Sequence, residues 1–230
     1  MLTTQKGRNI DSYIENYVLF DLETTGISWR SDDVIEISAL RVRNGQVTEC
    51  FSSLVDPGRP IPWAASRVNN ITDDMVAGEP TMEEILPQFL EFVGEDVLAG
   101  HNIARFDLNF LYRDSMVRFG LLPGNDYVDT LLFARQSLPG LPSYALTALA
   151  EHYGLTTQGA HRALNDCRVN QQVFERLARE PRQEAKRCPR CGQPVYEGKK
   201  NFACSDRSCG FVLWKNDRFW TSRKKELTKK

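Results

Sequence analysis

The stretch Phe20-Asp21-Leu22-Glu23-Thr24-Thr25-Gly26 ends an apolar run that begins at Tyr17. Its two carboxylates stand at positions i and i+2, so on a strand Asp21 and Glu23 point to the same face. Like charges held that close repel unless a proton or a cation intervenes. A pair of oxygen ligands suits a hard divalent ion such as Mg²⁺ or Mn²⁺. The pair reads as half of a metal site at the end of a strand.

Working outward, the segment 34–42 (VIEISALRV) partly alternates, and Asn44-Gly45 is a strong turn dipeptide leading into 46–55 (QVTECFSSLV). With 17–22, these predict three antiparallel strands. Pro57, Pro60 and Pro62 mark an irregular crossing. Thr81 then precedes a helical pattern over 82–93, a short strand is expected at 97–100, and a second helix over 106–119. Ser143 is placed to cap a helix through 144–153, with Gly154 as its stop, and a last helix covers roughly 163–179 before Pro181. Strands followed by interleaved helices predict an α/β fold, a mixed sheet flanked by helices. Residues 1–16 are polar and weakly patterned, an expected N-terminal extension rather than a core element. Residues 182–187 read as a linker.

At 230 residues and 41% hydrophobic, the chain can bury one substantial core and carry a small appendage. No stretch approaches the roughly 18 consecutive apolar residues of a membrane span, and MLTTQKGRNI lacks a signal peptide's apolar run, so no membrane partner and a cytoplasmic location are expected. The net charge of −1 conceals a division: residues 1–181 carry 15 basic and 25 acidic side chains, a net −10, whereas 182–230 carry 14 and 5, a net +9. An acidic body with a basic arm suits a polyanionic partner. Cys50 and Cys167 stand alone in a probable strand and a probable helix and read as small buried hydrophobes.

Two further carboxylate motifs lie near expected element ends: His101-Asn102-Ile103-Ala104-Arg105-Phe106-Asp107, and His161-Arg162-Ala163-Leu164-Asn165-Asp166. On one continuous helix a spacing of five would turn His161 about 140° away from Asp166. His161 is therefore expected in the loop or first turn, with Asp166 one turn inside, so that both face one site.

FDLETTG, HNxxxFD and HRALND, in this order, resemble the three motifs of the DEDDh family. These are the ribonuclease H-like 3′–5′ exonucleases that include the proofreading epsilon subunit of bacterial DNA polymerase III. The resemblance covers about residues 17–180, and Val128-Asp129-Thr130-Leu131 and Leu146-Thr147-Ala148-Leu149 resemble the family's stretches between its second and third motifs. It implies a ribonuclease H-like fold over 17–181. It also implies that Asp21, Glu23, Asp107 and Asp166 bind two Mg²⁺ or Mn²⁺ ions, with Asp21 bridging them and His161 as general base. Two ions roughly 3.5–4 Å apart can activate water, neutralise phosphoryl charge and stabilise the leaving 3′-oxygen. A histidine, with an ordinary pKa near 6.5, suits removal of the water's proton. His101 is expected to be structural, Asn102 to stabilise a turn, and His152 to pack or lie on the surface.

The implied activity is release of nucleoside 5′-monophosphates from DNA 3′ ends, single-stranded ends above all, with a DNA polymerase or repair complex as possible partner. An RNA-trimming exoribonuclease is the alternative enzyme, since the motifs serve both polymers. A non-catalytic nucleic-acid adaptor is the alternative from another class, and five filled catalytic positions speak against it.

Cys188-Pro189-Arg190-Cys191-Gly192 and Cys204-Ser205-Asp206-Arg207-Ser208-Cys209-Gly210 form two tight cysteine turns twelve residues apart. Four thiolates at this spacing, with no secretory signal, fit one closed structural Zn²⁺ site at Cys188, Cys191, Cys204 and Cys209. The segment 209–215 (CGFVLWK) resembles the zinc ribbons appended to bacterial type I topoisomerases, over about 188–221, and 222–230 is a basic tail. Lys199, Lys200, Lys215 and Arg218 are interleaved with Tyr196, Phe202, Phe211, Trp214, Phe219 and Trp220. That mixture suits phosphates and stacked bases, with some rings needed for the ribbon's own small core.

Overall fold

Alternation along the first long strand decides how the layers assemble. The computed structural model describes residues 2–156, 162–181, 186–198, 200–205 and 209–215. After the short β1 (Leu2–Thr3), β2 (Tyr17–Thr24), β3 (Val34–Arg43) and β4 (Gln46–Leu54) form the expected antiparallel meander, with the tight turn at Asn44-Gly45 in left-handed conformation. In β2, Val18, Phe20 and Leu22 enter one core cluster, while Tyr17 and Leu19 enter another. The strand is thus buried on both faces, and helices must cover each.

The crossing from β4 contains α1 (Trp63–Asn69) and α2 (Asp73–Val76), and leads into α3 (Met82–Val93). Thr81 begins α3 with a capping box, its amide and hydroxyl both donating to Glu84. Next come β5 (Leu98–Gly100), α4 (Asp107–Phe119), β6 (Leu122–Pro123), β7 (Tyr127–Asp129), α5 (Thr130–Ser137), α6 (Leu146–His152) and α7 (Ala163–Leu177). The main sheet has the order β4-β3-β2-β5-β7, with β5 parallel to β2 and β7 parallel to β5. Phe89 and Leu86 of α3 and Phe110 and Leu111 of α4 cover one face; Phe133 of α5, Leu149 of α6 and Phe174 of α7 cover the other. The expected mixed α/β architecture is present.

Four local expectations are corrected. The helix after Ser143 starts at Leu146, because Ser143 Oγ accepts from the Ala145 amide while Tyr144 is drawn inward, its hydroxyl donating to the Leu138 carbonyl. The N-terminal extension is fastened to the body. Leu2–Thr3 pair with Leu122–Pro123, the Ile10 amide donates to the Tyr127 carbonyl, and Ile10, Tyr13 and Ile14 pack on the second core. Cys50 is exposed, because β4 is an edge strand, whereas Cys167 is buried as expected. Finally, β7 and α5 fill a stretch in which the sequence suggested no element.

The C-terminal module is a four-stranded antiparallel sheet, β8 (Lys186–Arg187), β9 (Pro194–Glu197), β10 (Asn201–Cys204) and β11 (Val212–Trp214), in the order β11-β10-β9-β8. Val195, Phe202 and Leu213 bury a small core beside Cys188 and Cys204, and Trp214 is half exposed. Phe219, Trp220, Lys199 and Arg218 lie outside the described residues, as does the basic tail. No helix among the described residues is long and apolar enough to cross a membrane.

Candidate active site and cysteine cluster

Asp21 and Glu23 continue the β2 face that buries Tyr17 and Leu19, just beyond the point where that core ends. The first turn of α7 lies over the same face, and Cys167, next to Asp166, approaches the Ser38 carbonyl at 3.4 Å. One carboxylate oxygen from each of Asp21, Glu23 and Asp166 can lie within 4.8 Å of the others, and all three side chains are half-buried. Asp107 opens α4 and is buried; its Oδ1 accepts from the Leu22 amide at 3.2 Å, between the two strand carboxylates. It stands outside the tightest oxygen cluster, yet near enough to act on Asp21. His161 lies outside the described residues.

Burial raises the Asp21 carboxyl well above its usual range, with Asp107, Glu23, Asp166 and Glu36 adding to the rise. Glu23 is pushed up to about 8 by burial, then by Asp166, Glu36 and Asp107, against the opposing pull of Arg162. Asp107 is also raised, chiefly by burial, while the Leu22 amide and its own amide work the other way. Such crowding is costly without a counter-charge. An all-oxygen ligand set of this charge fits a hard divalent cation.

A residue that sequence reasoning missed holds this arrangement together. Glu36 is 3% exposed and faces Glu23 across the β2–β3 pair. Its carboxylate accepts from Arg162 Nε at 3.1 Å, Arg162 Nη2 at 2.9 Å and the Ala163 amide at 3.0 Å, fixing the start of α7 beneath Asp166. Its signal was a lone carboxylate inside the apolar run Val34-Ile35-Glu36-Ile37. Asp129 likewise ties the loop after β5 to α5, accepting from the amides of Asn102, Ala104, Leu131 and Leu132. Asn102 is left-handed, φ 63°, as a turn residue tolerates. His101 meets Thr130 Oγ1 and the Tyr144 carbonyl, and burial pulls its pKa down to about 4, so it is a neutral structural group. His152 is exposed and packs edge-on against Tyr153.

Residues 18–174 match the exonuclease family RNase_T. The chain belongs to that family. It is 40% identical to the DNA polymerase III subunit epsilon of Aquifex aeolicus over 164 residues, 71% of this chain and 81% of that protein. It is 38% identical over 165 residues to the PolC-type DNA polymerase III of Clostridium perfringens, 72% of this chain but only 11% of that much longer relative. Among solved structures, exonuclease X in complex with 5′-overhanging duplex DNA superposes with a TM-score of 0.57 at 28% identity, over 70% of this chain and 90% of that one. The family match ends before the cysteine-rich module.

In that module the four sulfurs lie within 4.8 Å of one another. Cys188 and Cys209 Sγ are 3.6 Å apart, and Cys191 and Cys204 Sγ 3.5 Å. Disulfide sulfurs would be about 2.05 Å apart, whereas a tetrahedral site with Zn–S bonds of about 2.3 Å has edges of roughly 3.8 Å. Gly192 (φ 74°) and Gly210 (φ 64°) end the two turns in the left-handed region that glycine enters without strain. The amides of Arg190 and Cys191 point at Cys188 Sγ and hold its pKa down against the effect of burial. The four thiols suit a closed metal site.

Proposed function

We propose that the chain is a metal-dependent 3′–5′ exonuclease that hydrolyses phosphodiester bonds at DNA 3′ ends and releases nucleoside 5′-monophosphates. The observation that carries this is the convergence of Asp21, Glu23 and Asp166, with Asp107 beside them, at the carboxyl end of β2. In this reading these four carboxylates hold two Mg²⁺ or Mn²⁺ ions. When bound, the ions supply a hydroxide-like nucleophile at neutral pH and offset the charge growing on the phosphoryl and leaving oxygens. The protein's part is to bind and orient: β2 presents Asp21 and Glu23, α4 presents Asp107, and the Glu36–Arg162 clamp keeps Asp166 opposite them. His161, five residues before Asp166, is the base that takes the attacking water's proton on a ring nitrogen.

DNA is favoured because the epsilon relative is a DNA polymerase subunit by name and exonuclease X was solved with DNA. A DNA polymerase or a repair complex is the class of partner that would present such a 3′ end. The nuclease body spans 17–181 and the ribbon 188–221, the latter folded around one structural Zn²⁺ held by Cys188, Cys191, Cys204 and Cys209.

The test is nucleotide release, with Mg²⁺ or Mn²⁺, from matched 3′-labelled single-stranded DNA, duplex DNA and RNA. Release from DNA should be abolished by Asp21→Ala and by His161→Ala. Full activity in either variant would overturn the site, and preferential cleavage of RNA would overturn the substrate.

A further inference from the structure

The ribbon does not hang from the body as a separate arm. Arg187 Nη2 reaches Asp11 at 3.2 Å, and Asn9 Nδ2 meets the Tyr196 hydroxyl at 3.5 Å. Between ribbon and body runs a cleft of about 630 Å³, walled by the N-terminal extension, the start of α4, α5 and the β9–β10 face. Lys6, Arg8, Arg105 and Arg135 line it, Arg8 being ion-paired with Asp126 at 3.1 Å, and no carboxylate is among the described residues that line the cleft. This is a concentration of positive charge on a body whose net charge is −10. Arg135, Tyr196 and Gly198 also line an adjoining cleft of about 490 Å³, where Lys186 and Lys215 lie over the Phe202 ring. The one carboxylate among the described residues that line it, Glu197, pairs with Lys215 at 2.6 Å.

Cations at intervals beside aromatic rings are what a flexible phosphodiester strand needs.

We propose that the ribbon–body seam is a track for single-stranded nucleic acid, built jointly by Lys6, Arg105 and Arg135 of the body and Lys186 and Lys215 of the ribbon, which grips the strand upstream of the 3′ end. The proposal rests on the nuclease reading and assigns the strand a path that includes residues of the body. The ribbon alone is half of the site.

Binding can be tested apart from chemistry in full-length Asp21→Asn protein, by fluorescence anisotropy with oligothymidylates of about 4 and about 20 nucleotides. Adding Arg105→Gln and Arg135→Gln should weaken the long strand on the order of tenfold. It should also reduce the steepness of its salt dependence by about 1.4, two phosphate contacts at roughly 0.7 each. The short strand, held by the active site alone, should bind as before. An oligouridylate responding in the same way supports recognition of the shared phosphodiester backbone. Unchanged long-strand affinity, equal weakening of both lengths, or tighter binding of duplex than of single strand would each overturn the track. Unchanged zinc content and circular dichroism establish that the variant is folded, and Lys6→Gln with Lys215→Gln repeats the test from the two ends. Hydrolysis of the p-nitrophenyl ester of thymidine 5′-monophosphate by unsubstituted protein reports on the nuclease reading separately, since that substrate is too small to enter the seam.

Discussion

Glu23 and Glu36 are opposed across β2 and β3 yet have different tasks, because among the described residues only Glu36 has a fixed cationic partner. Glu36→Gln removes charge-assisted hydrogen bonds to Arg162 and should cost about 2 kcal/mol, a fall of about 4–8 °C in Tm for a protein of this size. Divalent-ion affinity should fall with it, because the first turn of α7 loses its anchor. Calorimetry with and without Mn²⁺ separates the two effects, and a variant with unaltered Tm and ion affinity would contradict the clamp. Glu23 also sets a pH dependence. Its carboxyl is raised to about 8 when folded, against about 4.3 in an unfolded chain. Its contribution to the stability of the cation-free protein is therefore present below about pH 4.3 and is lost as pH rises through about 8. A divalent cation takes the place of the proton, so Mn²⁺ should raise Tm more at pH 8.5 than at pH 6. An equal rise at both values would mean that Glu23 does not meet the ion.

Local sequence specified some elements closely and others hardly at all. Thr81 announced α3, and the helix runs from Met82 to Val93 as expected. Thr81→Ala should lower stability by about 1 kcal/mol, measurable as a shift of about 2–4 °C in Tm, with activity retained. By contrast β7, only three residues long, has no room for a periodic signal, and α5 follows it directly, capped by the same Asp129 that organises the loop after β5. Ser143 carried a capping signal that Tyr144 overrides through contacts with Leu138 and His101. Gly100 shows a constraint of packing rather than of turn formation: a Cβ there would stand 2.9 Å from the Phe20 carbonyl oxygen. Gly100→Ala should therefore push β5 away from β2 and reduce both Tm and nucleotide release.

The body holds two large clusters on opposite faces of its sheet and a smaller one around Ile35, Ile61, Ile71 and Val76, while the ribbon has a core of a few side chains beside the sulfurs. Chelation, or Cys191→Ser, should release one zinc per chain and open the ribbon to protease while the body remains folded. Elemental analysis with limited proteolysis checks this, and a protease-resistant zinc-free ribbon would refute a structural role for the metal. By itself the sequence determined the acidic pair on β2, the motifs at Asp107 and Asp166, the three-stranded meander and the four-cysteine cluster, because each is encoded within a few residues. Tertiary structure alone decided that Glu36 clamps α7, that residues 2–10 fasten to β6 and β7, and that ribbon and body enclose a basic seam. Those features join residues far apart in the chain, and such pairings arise from the packing of the whole molecule rather than from any local pattern.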